Sequence, residues 1–418
     1  MIYKFSCNNF RNISVEDLPL KRVNLLIGPN NSGKTNFIQA ITFYSNMLKY
    51  GNSGTSETDF YNAVQRNGWS HCLRKGERPG TPISFTWDME LGQETISFKF
   101  AFVTGAQKED FHIVQEELYG ATFPLYDKRF NYFQAHKSTL GECHISTATH
   151  KGKQNKRLVF PLASNASIFS QFKDIVLNDE HLYNEASIRK NLTELMGRME
   201  IALRSVYAYS SAQFDTRAIR TPVQENLSSQ YLMHSGINLV NLFDYYKSKS
   251  LKWKMDFINH MKDLMHDLRD VDVVSIFGQN MMRLVDGDEE FDLTDISEGT
   301  IKALLLNFLV NMPVARKYPL LAIDEPESNL HPAWQKVVGE WIRSSDNFEQ
   351  CMIGTHSPDF LDVFTDDFIN DRDVAIFVFS GDGSIQPIKS EDVRKDIGDW
   401  ELGDLYRTND PLLGGWPW

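Results

Sequence analysis

The chain has no run of 18 or more apolar residues, which removes a membrane-spanning helix from consideration. Cysteine is sparse. Cys7, Cys72, Cys143 and Cys351 are scattered through 418 residues without a CxxC pair, so neither a disulfide framework nor a thiolate zinc site is expected. Cys143-His144 with the later His150 supplies one thiol and two imidazoles, too few for a closed metal site. Excess positive charge is also missing: 43 Lys and Arg against 55 Asp and Glu leave −12. A surface coated in positive potential is excluded, though a local basic track is not. The one basic stretch of note is "HKGKQNKR", with Lys151, Lys153, Lys156 and Arg157, read first as a solvated hairpin or loop. No sustained heptad pattern, internal repeat or low-complexity linker is found, which argues against long coiled-coil arms. The opening Met1-Ile2-Tyr3-Lys4-Phe5 lacks a signal-peptide pattern and reads as a strand, making the cytoplasm the expected location.

Present instead is an ordinary globular composition, 42 % hydrophobic and 23 % charged, in a chain long enough for one to three domains. Its most informative segment is "VNLLIGPNNSGKTNFIQAI". Val23, Leu25, Leu26 and Ile27 form the short apolar run of a buried parallel strand. Gly28-Pro29-Asn30-Asn31-Ser32-Gly33-Lys34-Thr35 follows and fits GxxxxGK[ST], and Phe37, Ile38 and Ile41 then recur with helical spacing. Each residue type has a task. Gly28 and Gly33 let backbone N–H groups curl around phosphates. Lys34 places a point charge on the β- and γ-phosphates, and the Thr35 hydroxyl can ligate Mg²⁺.

"YPLLAIDEPESNLHP" reads as a second buried strand, Leu320 to Ile323, ending in Asp324 and Glu325. Carboxylates at the end of a parallel strand face the crevice where ligands bind. Asp324 is expected to hold the metal and Glu325 to polarise the attacking water. A third strand in "CMIGTHSPDFL" leads to His356, placed to hydrogen-bond a γ-phosphate or fix the water and base. Finally, "TDISEGTIKALLL" aims a small glycine-bearing loop, Ser297-Glu298-Gly299-Thr300, into a helix N-terminus, an arrangement that can bind an anion.

The order GPNNSGKT, DISEGT, LLAIDEPESNLHP, IGTHSP resembles the ABC-type ATPase heads of the RecF, SMC and OLD-like group. Within it, the chain is most similar to standalone prokaryotic AAA-type ATPases, often found near phage-defence genes. "FSCNNFRNISVEDLPL" resembles the group's first hairpin, with Asn9-Phe10-Arg11 at the bend. The likeness covers roughly the first 45 residues and about 285 to 380. It implies an α/β fold: an ABC-type P-loop NTPase head, a mixed sheet flanked by helices with an antiparallel β subdomain, carrying a helical and β insertion and no long coiled coil. ATP and Mg²⁺ are the implied cofactors. Gly28 to Thr35 would be the Walker A loop, Asp324 the Walker B metal residue, Glu325 the catalytic base and His356 the switch histidine. Asn329-Leu330-His331 would form the D-loop at a dimer contact. Ser297 and Gly299 would be the signature loop, which in this group closes on ATP held by a second protomer. The group's glutamine loop has no unambiguous match; Gln213 in "VYAYSSAQFDTR" is the candidate metal ligand, with Arg217 and Arg220 nearby.

One discontinuous ATPase domain is expected: a lobe over 1–60, an insertion of strands and a helical lid over 61–284, and a second lobe over 285–418. The apolar stripes of the inserted helices read as core packing. After His356 no second catalytic domain is expected, and Asp362, Asp366 and Asp367 read as solvated loop acids. Trp416 and Trp418 are expected to pack on their own chain. The implied function is an ATP-hydrolysing switch that dimerises head to head and regulates a separate effector, a nuclease or toxin, in prokaryotic anti-phage defence. The alternative is a RecF-like repair ATPase acting on DNA directly, with nucleic acid as its partner; a transporter's ATPase subunit fits the long insertion poorly. No membrane partner is expected.

Overall fold

Alternation of apolar and polar residues builds the first sheet. The computed structural model describes all residues except 51–58, 67, 69–70, 93, 106–109, 123–128, 137–141, 149–153, 162, 164, 173–185, 225–229, 313–316 and 415–418. It divides into two compact units. The first comprises Met1–Lys21, Asn30–Val206 and Phe379–Gln386. Its antiparallel sheet contains β1 (Ile2–Phe10), β2 (Ile13–Pro19), β4 (Ile83–Leu91), β5 (Glu94–Val103), β6 (His112–Thr122), β7 (Arg129–His136), β8 (Glu142–Ala148) and β9 (Gln154–Pro161). Their order is β2-β1-β4-β5-β6-β7-β8-β9. The bend between β1 and β2 falls where the sequence places it, with Asn9 and Arg11 at φ of 62° and 53°.

Period-two patterning puts Ile83, Phe85 and Trp87 opposite Phe102, Phe100 and Phe98 on the neighbouring strand. The helix Lys34–Tyr50 packs on this aromatic face. Phe43 stacks on Phe102 and Phe85 at 5.1 and 5.4 Å, and Tyr44 meets Phe98 edge-on at 4.8 Å. Two polar groups inside this core are satisfied: the Tyr44 hydroxyl donates to Glu116 at 2.7 Å, and the Trp87 indole donates to the Ile41 carbonyl at 3.0 Å.

The second unit comprises Arg22–Pro29, Tyr207–Val378 and Pro387–Trp418. Its main sheet holds β3 (Val23–Ile27), β10 (Val206–Ser210), β15 (Leu320–Asp324), β16 (Cys351–Gly354), β17 (Val374–Phe379) and β18 (Ile385–Ile388), in the order β10-β15-β16-β3-β17-β18. The β15, β16, β3 and β17 pairings are parallel. Every residue of β3, β15 and β16 is buried, the physical reason these strands read as continuous apolar runs. A smaller antiparallel sheet joins β11 (Val223–Gln224), β12 (Leu268–Ile276), β13 (Gln279–Asp286) and β14 (Glu289–Asp292).

The helices Leu239–Lys249, Leu251–Lys262 and Glu298–Asn311 supply this unit's core. Phe243 meets Phe257 at 5.1 Å, and Trp253 meets Phe308 at 5.8 Å. The helix Glu298–Asn311 is buried on every face from Thr300 to Val310, as its leucine-rich sequence requires.

The acid cluster needs correcting. Asp366 is exposed, but Asp362 ends the helix Pro358–Asp362 with its side chain only 3 % exposed. It accepts the Gly403 amide at 2.8 Å and pairs with Lys336 at 3.1 Å and Arg407 at 3.5 Å. Asp367 pairs with Arg343 at 2.7 Å. The burial comes from the later helix Leu402–Arg407 folding onto this segment, which local composition does not reveal. No described helix is long and apolar enough to cross a membrane. Lys151, Lys153, His150, Trp416 and Trp418, and the side chains of Cys143, His144, Lys156 and Arg157, lie outside what the structure describes.

Candidate functional site

The phosphate loop begins as β3 ends. Gly28 has φ +138°, Asn31 +62° and Gly33 +112°, so the loop backbone repeatedly enters the positive-φ region that glycine tolerates best. At Gly33 a side chain is excluded: a Cβ would lie 2.7 Å from Asn12 Nδ2 and 2.9 Å from Ile13 Cδ1. Asn12 in turn donates to the Ser32 carbonyl at 3.0 Å, and the Gly33 carbonyl accepts the Phe37 amide at 2.8 Å as the helix starts. Ser32 and Lys34 are buried, whereas Pro29 is half-buried and Asn30, Asn31 and Thr35 are more open. The Ser32 hydroxyl is buried with no hydrogen-bond partner among the described residues, the condition of a cradle that expects a ligand.

In the second unit, pairing register brings three strand ends level. Asp324 on β15 sits opposite Gly354 on β16, which sits opposite Leu26 on β3. The strand bearing His356 therefore separates those bearing Asp324 and Gly28. Asp324 is buried, while Glu325 turns outward with φ +53°, a strained position for a non-glycine residue. The Glu325 amide donates to the Gly354 carbonyl at 2.7 Å, and its carboxylate accepts the Ser328 hydroxyl at 3.2 Å. His356 Nε2 stands 3.8 Å from Glu325 Oε1, adjacent but outside hydrogen-bond range.

Two residues in this cluster carry no motif label. Glu327 is buried and its Oε1 accepts the His356 amide at 2.6 Å. Burial pushes its carboxyl up to about 7, with the neighbouring Glu325 charge acting in the same direction. Tyr406 is buried with its hydroxyl hydrogen-bonded to the Gly28 backbone, and burial raises it to about 12. A second acid in "DEPE" was the available sequence signal for Glu327; Tyr406 sits in a tail that reads as short and polar.

Ser297 caps its own helix, accepting the Thr300 amide at 3.1 Å, yet Ser297 and Glu298 are exposed. The turn before them is held by Arg220, whose Nη1 donates to the carbonyls of Leu293, Thr294 and Ile296 at 2.9, 3.1 and 2.8 Å. Arg220 is thus occupied with the turn before Ser297, and Arg217 is exposed. The helix Glu298–Asn311 also touches the loop after Glu325. A Cβ on Gly299 would lie 2.7 Å from the Asn329 carbonyl, and buried Lys302 donates to the Ser328 carbonyl at 3.2 Å. Asn329 is exposed at φ +63°, Leu330 is buried, and His331 caps the helix Pro332–Ser344 by accepting the Ala333 amide at 3.2 Å.

Gln213 closes a single 3₁₀ turn directly after β10, the strand neighbouring β15, and is exposed. Among the described residues no group of three or more His, Cys, Asp or Glu side chains could by itself hold a metal ion. A buried carboxylate such as that of Asp324 fits Mg²⁺ all the same. That ion takes one or two protein oxygens and completes its shell with phosphates and water.

No curated protein matches the chain. Among solved structures, the SMC head bound to the C-terminal winged-helix domain of ScpA aligns over 93 % of this chain and 97 % of its own, at 13 % identity and TM-score 0.48. The SMC head domain from Thermotoga maritima aligns over 93 % and 99 %, at 12 % identity and TM-score 0.40. The SMC head with an extended coiled coil from Pyrococcus furiosus, bound to the C-terminal domain of ScpA, aligns over 95 % and 98 %, at 14 % identity and TM-score 0.42. A family model matches residues 23–362, from the strand before the phosphate loop to the helix after His356. The chain belongs to that family of P-loop ATPases, described as "AAA domain, putative AbiEii toxin, Type IV TA system".

Proposed function

We propose that the chain is an ATP-hydrolysing switch that closes head to head on a second copy around ATP and thereby governs a separate effector, a nuclease or toxin, in anti-phage defence. Gly28 to Thr35 wrap the phosphates, with Lys34 neutralising the β- and γ-groups. Thr35, Asp324 and Gln213 would hold Mg²⁺, which would offset phosphate charge. Glu325 orients the attacking water and takes its proton, and His356 donates to the γ-phosphate or steadies Glu325. Ser297 and Gly299 close on the ATP of the partner copy.

The observation that carries closure in trans is the exposed N-terminus of the helix Glu298–Asn311. Ser297 and Glu298 face solvent, while Gly299 rests against Asn329 of its own chain. A helix start so presented suits an anion arriving from outside. Mixing two inactive variants tests this. Lys34→Ala spoils the phosphate loop and Ser297→Arg the signature, so each mixed dimer keeps one intact composite site. About a quarter of wild-type hydrolysis returns on mixing if the site is shared across a two-fold dimer; no recovery refutes closure in trans. The family description, with its toxin and toxin–antitoxin wording, supports a place in a toxin-type system. Tagged Glu325→Gln protein recovered from its native host with ATP should bring down a stoichiometric second chain. Its absence both with and without ATP removes the effector from the proposal.

A further inference from the structure

Glu327 is the one acid of the cluster that the scheme above leaves without a role. It is 8 % exposed and three residues beyond Asp324. Its Oε1 accepts the His356 amide at 2.6 Å, and the Thr355 hydroxyl also hydrogen-bonds its carboxyl. Thr355 is itself fully buried, and its amide donates to the Leu26 carbonyl at 3.0 Å. Tyr406, hydrogen-bonded to the Gly28 backbone, lies close enough to sense the Glu327 charge. Three strand ends therefore meet around one buried carboxyl: β15 through Glu327 itself, β16 through Thr355 and His356, β3 through Leu26 and Gly28.

A purely structural acid in this place would be expected to use both oxygens, because burying an unpaired polar atom is costly. Here Oε2 is buried with no hydrogen-bond partner among the described residues. The engaged oxygen serves the backbone of His356, the residue whose imidazole stands beside Glu325.

We infer that Glu327 is a positioning residue for ATP hydrolysis: by accepting the His356 amide it fixes the backbone from which that imidazole addresses Glu325. The inference rests on the ATPase reading above. What matters is the reach of an acceptor oxygen, not its charge. Glu327→Gln keeps that oxygen in place, whereas Glu327→Asp withdraws it by one methylene.

Two readouts test this. Amide exchange of the segment Gly354 to Ser357 needs no nucleotide; steady-state hydrolysis does. Glu327→Gln should keep His356 protected and kcat within about threefold of wild type. Glu327→Asp should speed exchange there about tenfold and lower kcat by a similar factor, with KM for ATP within about twofold. Wild-type protection and kcat in Glu327→Asp would overturn the inference, as would Glu327→Gln falling as far as Glu327→Asp. A wild-type chain that does not hydrolyse ATP would refute the ATPase reading instead, leaving the exchange readout to decide whether Glu327 holds His356.

Discussion

Replacing Arg220 with alanine should loosen the turn over residues 292–297 without disturbing the sheet. One guanidinium nitrogen faces three carbonyls, those of Leu293, Thr294 and Ile296, at 2.8 to 3.1 Å. That nitrogen carries only two hydrogens, so the three acceptors share two bonds. Hydrogen bonds to a charged donor contribute about 1.5–3 kcal/mol each. Thr294 is exposed and Ile296 half-buried, so water recovers part of the loss. A net cost of about 2 kcal/mol corresponds to roughly a 30-fold rise in local opening. The assay is hydrogen–deuterium exchange of nucleotide-free protein over residues 292–301. There the Thr294, Asp295, Thr300 and Ile301 amides are hydrogen-bonded within the turn and cap. Strands β3 and β15 serve as unchanged controls. Exchange at wild-type rates across 292–301 would refute the view that Arg220 organises this turn.

Other expectations are simpler to check. Gly33→Ala should abolish ATP binding in a fluorescent-nucleotide titration, because the new Cβ meets Asn12 and Ile13 at 2.7 to 2.9 Å in a left-handed conformation. Ser297→Ala should cost about 1 kcal/mol of cap energy. Gly299→Ala should cost more, since its Cβ is forced against the Asn329 backbone at 2.7 Å; both should spare ATP binding and depress hydrolysis. The Glu327 carboxyl, raised from 4.5 to about 7 by burial, binds more protons folded than unfolded between those values. Stability should therefore fall as pH rises through that window, by on the order of 3 kcal/mol at most, and Glu327→Gln should flatten the slope in thermal unfolding.

How much could be read beforehand depended on where each residue's partners lie. The phosphate loop, its strand and its helix are contiguous, and the run Leu320 to Asp324 is apolar because β15 is buried on both faces. Such features announce themselves locally. Arg220 does not, because the carbonyls it holds lie more than seventy positions on. Glu327 depends on His356, Lys302 on Ser328, and Tyr406 on Gly28 near the other end of the chain. Asp362 reads as a solvated acid for the same reason: its burial is made by Gly403, Lys336 and Arg407. Pattern reveals which strand or helix a residue occupies, but it cannot reveal what a distant segment brings to it.

Trapping the closed state is the most direct test of the proposed switch. Glu325→Gln removes the proposed base while leaving Lys34, Thr35 and Asp324, the proposed ligands of ATP and Mg²⁺, in place. Light scattering after size-exclusion chromatography should show one 48.1 kDa chain without nucleotide and twice that mass with ATP. Adding Ser297→Arg should abolish the shift while ATP still binds. A variant that binds ATP yet stays at the single-chain mass at high concentration would contradict closure in trans.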